Sequence, residues 1–393
     1  MKRGVWQITE EPEATGRNSR QLQEDTLCSP LNSQIKFIDL GSDVSKKILG
    51  YLPLDALFPL MPSCKTIKGD IESLLASIKK VVRPRWINDK NFKYVSQFLK
   101  GVTELDVSDC SISLIPAMTT IQTLDVSGTK LDDKGLRAIS SLLSAVKIFN
   151  LACCKRISGK GFEHLSTMPS LEEVNISGTN INKKSLAKLS RSLTALTKLN
   201  LADCRWILGG EFACLSSYKS LRELDVEYTN VNNEDLAAIS RSLPGLTKIS
   251  LACCLLISGE GFECLSTLPS LEELNITGTS INDESLAKLS GSLTALSILD
   301  LSFCKSISGG GFACLSSLKL LRKLNVGWTK INNEGLAGVS RLPFLTKLTL
   351  YHCQSISRGG FACLSSLTSL RELNASWTNN DEGHMSLPVL ITL

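Results

Sequence analysis

A chain of 393 residues, 43% of them hydrophobic, is long enough to bury a substantial core. Its formal net charge of +5 is small for that length and argues against a dedicated nucleic-acid or polyanion binder. No run of about 18 apolar residues occurs, and Met1–Arg20 is polar and charged, so neither a membrane span nor a secretory leader is expected.

Residues 1–34 are rich in Glu, Ser, Arg, Asn and Gln and read as a disordered tail. Residues 35–100 read as a helical, non-repetitive cap and connector. Ser42 is placed to cap a helix with Val44, Ile48, Leu49 and Leu52 on one face, and Pro53 stops it. Asp55 opens a second helix with Leu57, Leu60 and Cys64 inward. Lys79, Lys80, Arg83, Arg85, Lys90 and Lys93 surround Trp86 and read as a solvated connector.

From residue 101 to 393 the chain is an array. Strand apolar residues fall at Leu105, Leu124, Phe149, Val174, Leu199, Leu224, Ile249, Leu274, Leu299, Leu324, Leu348 and Leu373, twelve strands in all. After a shortened first module the step is 25 residues, with one of 24. Each strand reads L-x-x-L-x-L-x-x and ends alternately in Thr or Cys, as in Leu171–Thr179 and Leu196–Cys204. Thr modules continue into a helix; after Asn182 as cap, Leu186, Leu189 and Leu193 share one face. Cys modules continue into Ile-Ser-Gly-x-Gly-Phe and a short turn with Phe262 and Leu265 inward. The expected fold is a curved α/β solenoid, with a parallel sheet inside and alternating long and short helices outside.

Six of the 14 Cys occupy the strand-end slot: Cys110, Cys154, Cys204, Cys254, Cys304 and Cys353. They recur in alternate modules, about 10 Å apart, whereas a disulfide needs Cα atoms within about 7 Å. Buried, reduced thiols are expected, which fits a cytoplasmic or nuclear compartment. No C-x-x-C spacing, catalytic motif or phosphate loop survives comparison with the repeat, so no metal, cofactor or enzymatic activity is expected.

Leu40-Gly41-Ser42-Asp43-Val44, Ile48-Leu49-Gly50-Tyr51-Leu52, Asp55-Ala56-Leu57 and Cys64-Lys65 resemble the F-box. Gly41 departs from the family's Pro, and no Trp follows Lys65. The Cys modules are similar to the cysteine-containing leucine-rich-repeat subfamily, which often follows an F-box. The near-identity of Leu171–Ser190 and Leu271–Ser290 also resembles kinetoplastid leucine-rich-repeat proteins. The resemblance implies a substrate-recognition adaptor of a cullin–RING ubiquitin ligase. Leu40, Val44, Ile48, Leu52, Leu57 and Cys64 would then meet a Skp-type linker protein. The alternative is a scaffolding repeat protein whose N-terminal helices only cap the array.

The two positions after the second strand apolar residue carry large aromatics only in later modules. Tyr228, Phe303, Trp328, Tyr351, His352 and Trp377 are therefore the expected partner-binding residues of the concave face. At the end of the chain, Leu387–Leu393 resembles Leu342–Leu348, the approach to a further strand. It reads as a truncated array or an edge that a partner covers.

Overall fold

Every module folds alike because its apolar residues fall on one side of a very short strand. In Glu173–Asn175, Val174 points inward, as does Ile176 just beyond, while Glu173 and Asn175 face solvent. One such strand has nothing to pack against, so the modules stack and bury each other.

The structure is a computed structural model, and it describes residues 65–82, 88–113 and 115–378. Among them thirteen three-residue strands, from Lys80–Val82 to Glu372–Asn374, form one parallel sheet in chain order. The register follows the repeat: Leu199 lies between Val174 and Leu224, and Leu299 between Leu274 and Leu324. The sheet is an open, curved solenoid.

Thr strands lead to the outer helices Asp133–Leu142, Lys183–Ser192, Asn233–Ser242, Asp283–Ser292 and Asn333–Val339. Asn182 accepts a hydrogen bond from Ser185 N at 3.1 Å, the expected cap, and Leu186, Leu189 and Leu193 are buried. Cys strands lead to 3₁₀ turns, such as Glu260–Thr267, with Phe262 and Leu265 buried. The glycines of Ile-Ser-Gly-x-Gly-Phe make room for the neighbouring helix: a Cβ at Gly259 or Gly261 would collide with the Asn282 or Asn233 side chain.

The expected count of twelve strands is one short. The basic stretch contributes a strand of its own, Lys80–Val82, paired with Glu104–Asp106. Val81 is buried, and Lys80 Nζ meets Glu104 at 2.8 Å. Two β-branched residues between charged neighbours suffice for an edge strand: Val81 leaves solvent, while Lys79 and Lys80 stay exposed. The helices Lys65–Ser77 and Asp89–Val95 bring Ile71, Leu75, Phe92 and Val95 into the same core. The F-box-like positions Leu40 to Cys64 lie outside the described residues.

The Thr and Cys slots are two halves of one device. Thr229 Oγ1 donates to Val226 O at 2.6 Å, and Cys254 Sγ, one module on, donates to the same oxygen at 3.1 Å. The arrangement recurs at Val126, Ile176, Ile276 and Val326. A Cys strand has no such shared acceptor; the carbonyl of Leu251 receives only the Cys254 N–H. The module pair, Thr then Cys, is therefore the true repeating unit. Removing one donor of a buried pair leaves the other in place, so Thr229→Val or Cys254→Ala is expected to cost about 1–2 kcal/mol. The double variant strips the oxygen of both and is expected to cost more than the sum, measured by urea unfolding as a double-mutant cycle.

Candidate functional site

Three rows of side chains cross the solvent face of the sheet. The first alternates in sign: Glu173, Lys198, Glu223, Lys248 and Glu273 lie side by side in register. Lys198 reaches Glu173 at 3.4 Å and Glu223 at 3.2 Å, and Lys248 reaches Glu273 at 2.9 Å. The hydrogen bond that Lys198 donates to Glu223 raises its ammonium above the ordinary value. Exposed pairs of this kind are worth little each, but together they leave few free charges in the row.

The second row is Asn and Asp, with Ser250 and Thr349 in two modules. Asp125 accepts from Ser127 N at 2.9 Å and from Asn150 Nδ2 at 2.8 Å, and Asn325 and Asp300 repeat the link at 2.9 Å. These side chains end the strand by holding the backbone two residues on. Between the modules of Ile148 and Ile298 the two rows line a groove of about 600 Å³. Within it, burial holds the Asp225 carboxyl above the usual carboxylate range, and the like charge of Glu227 adds to this.

The third row sits where the chain leaves each strand, and every residue in it has positive φ. Gly128, Gly178 and Gly278 occupy the slot in three modules, and Asp109 and Asp203 in two more. Elsewhere it holds Cys153, Tyr228, Cys253, Phe303, Trp328, His352 and Trp377, with φ between 54° and 60°. A side chain in this left-handed region costs roughly 1–2 kcal/mol. The N–H of the slot residue crosses to the next module, as from Trp328 to Tyr351 O at 2.8 Å.

The last four rings form a stack along the solenoid. Phe303 and Trp328 lie 5.4 Å apart at 13°, Trp328 and His352 3.5 Å apart at 7°, and His352 and Trp377 6.5 Å apart at 19°. Tyr351 leans on Trp328 at 6.0 Å and 57°. Phe303 is 45% exposed, Trp328 37% and Trp377 55%. The structure thus brings together five of the six expected aromatics. Tyr228 stands apart, because Cys253 and Gly278 fill the next two slots. It lies beside Cys253, whose hydrogen bond raises its phenol above the ordinary value. Sequence reasoning missed a separate cluster on the outer side, Trp206 and Leu208 beside Lys183 and Lys184. Its only signal is departure from the repeat.

Among the described residues no group of three or more His, Cys, Asp or Glu is placed to hold a metal ion. None of their helices is long and apolar enough to cross a membrane. All twelve described Cys are free. Burial pushes the Cys154, Cys204 and Cys254 thiols up to about 11, offset in part by hydrogen bonds from Thr129, Thr179 and Thr229.

A "Leucine Rich repeat" family model matches residues 117–140, 267–290 and 317–340, each of which includes a Thr strand and much of its helix. No curated protein matches the chain. Among solved structures, an internalin from Listeria monocytogenes is similar at 18% identity and TM-score 0.54, over 80% of this chain and 89% of that one. The yeast Rad7 and Elc1 complex matches at 16% identity and TM-score 0.47, over 89% of this chain and 92% of that one. The sheet, the repeat and the family model together define a leucine-rich-repeat solenoid.

The thiols carry a pH signature. Their folded value near 11 lies above the ordinary 9.0, so the stability from keeping them neutral is intact below pH 9.0. It is lost as pH climbs toward about 11. The melting temperature is expected to fall over that window, and less steeply when Cys154, Cys204 and Cys254 are replaced by Ala. Alkylation of the native chain near neutral pH, read by mass spectrometry, is expected to label exposed Cys153 well before Cys154.

Proposed function

We propose that this chain is a non-catalytic protein-binding module that grips its partner through the aromatic row of its C-terminal half. The supporting observation is that four consecutive modules place Phe303, Trp328, His352 and Trp377 where the backbone favours glycine. Gly128, Gly178 and Gly278 fill the same slot without strain. Three stacked contacts return roughly 0.5–1.5 kcal/mol each. Four left-handed side chains cost roughly 1–2 kcal/mol each. At the middle of both ranges, the three stacks return about half of the strain. Strained, exposed aromatics are characteristic of ligand clamps and binding hot spots. Replacing Phe303 and Trp328 together by Gly is expected to weaken partner binding by about 2 kcal/mol or more and to leave the melting temperature nearly unchanged. A control altered at Ser127 and Ser177 is expected to bind normally; equal affinities for the two variants would place the site elsewhere.

The F-box resemblance extends this reading to an adaptor. Residues Leu40 to Cys64 would dock on a Skp-type linker while the solenoid holds a substrate, raising its effective concentration at a ubiquitin ligase. The free thiols support a cytoplasmic or nuclear setting. The burial of Ile71, Leu75 and Phe92 in the common core favours a second reading, a scaffold with a plain helical cap. Leu52→Ala/Leu57→Ala decides between them. The adaptor requires that co-purification with the linker be lost while the far-ultraviolet circular dichroism stays native. Co-purification that persists removes the adaptor reading.

A further inference from the structure

On the outer side, neighbouring modules are joined by a clamp between the start of one helix and a Ser in the next module. Asp133 accepts from Ser158 N at 2.7 Å and from its Oγ at 2.6 Å. Asp89 takes both bonds from Ser113, and Asp283 accepts from Ser308 N. Asn233 and Asn333 accept from Ser258 N and Ser357 N, while their Nδ2 groups donate to the Ser Oγ atoms. A glycine makes room in four of these: a Cβ at Gly161, Gly261, Gly311 or Gly360 would collide with the clamping carboxylate or amide.

One boundary breaks the rule at all three positions. Lys183 stands where the others have Asp or Asn, Leu208 where they have Ser, and Glu211 where they have Gly. Lys184 follows Lys183, whereas the near-identical module has Asp283-Glu284. The Lys183–Ser192 helix carries no acid in its first turn, and two lysines oppose its dipole there. Trp206 is 68% exposed and Leu208 61%. The Trp206 indole is held by Asn180 Oδ1 at 3.0 Å, so the ring is fixed in the open.

These changes surround a groove of about 760 Å³ with Trp206 and Leu208 as its apolar part and Lys183, Lys184, Lys188 and Arg191 as its charged part. Glu211 meets Lys183 at 3.7 Å and Glu163 meets Lys188 at 3.0 Å, which sets those two cations in place. Lys184 and Arg191 hold no ion pair among the described residues.

We propose that this groove docks an acidic segment of a protein partner that carries one large apolar side chain. The apolar group lies against Trp206 and Leu208, and carboxylates meet the cations of the helix. From Lys183 to Arg191 those cations cover roughly 12 Å at 1.5 Å per residue, about four residues of extended chain at 3.3 Å each. A short peptide fits better than a nucleic acid, because Glu211 and Glu163 already pair with Lys183 and Lys188, which leaves Lys184 and Arg191 as the open cations, enough for a few carboxylates and few for a phosphate backbone. The site lies on the outer helices and does not rest on the aromatic row.

The test uses the full chain and a fluorescein-labelled peptide with one Trp followed by Glu at alternate positions. Companion peptides replace each Glu by Gln or the Trp by Ser, and a labelled oligouridine serves as the nucleic-acid arm. Fluorescence anisotropy is expected to show binding of the Trp/Glu peptide and at least tenfold weaker binding of both companions. Lys183→Asp/Lys184→Glu/Leu208→Ser/Glu211→Gly rebuilds the boundary found at Asp283, Ser308 and Gly311. It is expected to raise the melting temperature and weaken peptide binding at least tenfold. Trp206→Ser gives an independent loss, and Lys184→Gln serves if the rebuilt boundary does not fold. No binding by the native chain, unchanged affinity in the variants, or oligouridine binding that depends on Lys183 and Lys184 would each overturn the proposal.

Discussion

The molecule depends on one backbone constraint, the left-handed residue at the exit of each strand from Glu104–Asp106 onward. That residue turns the chain out of the strand so that the next side chain, Thr or Cys, points into the core. Its N–H crosses to the following module, as from Tyr228 to Ala252 O and from Cys253 to Thr277 O, each at 2.8 Å. Three-residue strands hold few ladder bonds, so these extra crossings extend each pairing. The same geometry projects the slot residue outward. Stability and display therefore share one residue per module, and the choice of that residue is where a module either relaxes with glycine or presents a ring.

Around this constraint, polarity is sorted by depth. Thr and Cys hydroxyls and thiols share one carbonyl in the core, Asn and Asp tie the strand ends, and Lys and Glu alternate on the open face. Each layer satisfies itself along the solenoid axis with the neighbouring module. A site on such a surface is held by rigid elements on both sides, which suits a stack of flat rings better than a mobile loop would.

Much of this is legible in the residues, because a period of 25 cannot arise without a repeated fold. The inward Val174 and Ile176, the Asn182 cap and the Thr and Cys slots follow from alternation and size. The strand Lys80–Val82 escaped because it lacks the leucine template and its charges suggested solvent. The backbone strain is legible only in hindsight, through Gly128, Gly178 and Gly278 at the same slot. Tyr228 was grouped with the other rings by its slot alone. Stacking acts only between neighbours, so two intervening modules with Cys253 and Gly278 isolate it. The outer groove was missed for a different reason: Lys183, Leu208 and Glu211 carry meaning only beside the clamp they replace.

The shared carbonyl of each Thr–Cys pair sets a grammar for how such an array can grow. A duplication or deletion of two modules returns every Thr to a Cys neighbour and every outer helix to a 3₁₀ turn. A change by one module instead sets Thr against Thr or Cys against Cys. The first leaves a core oxygen short of its second donor, and crowds two long helices where the curvature allows one. Length in this lineage of modules is thus quantised in units of about fifty residues, two turns of the solenoid at 25 each, and the near-copy of Leu171–Ser190 at Leu271–Ser290 lies a whole number of such units away.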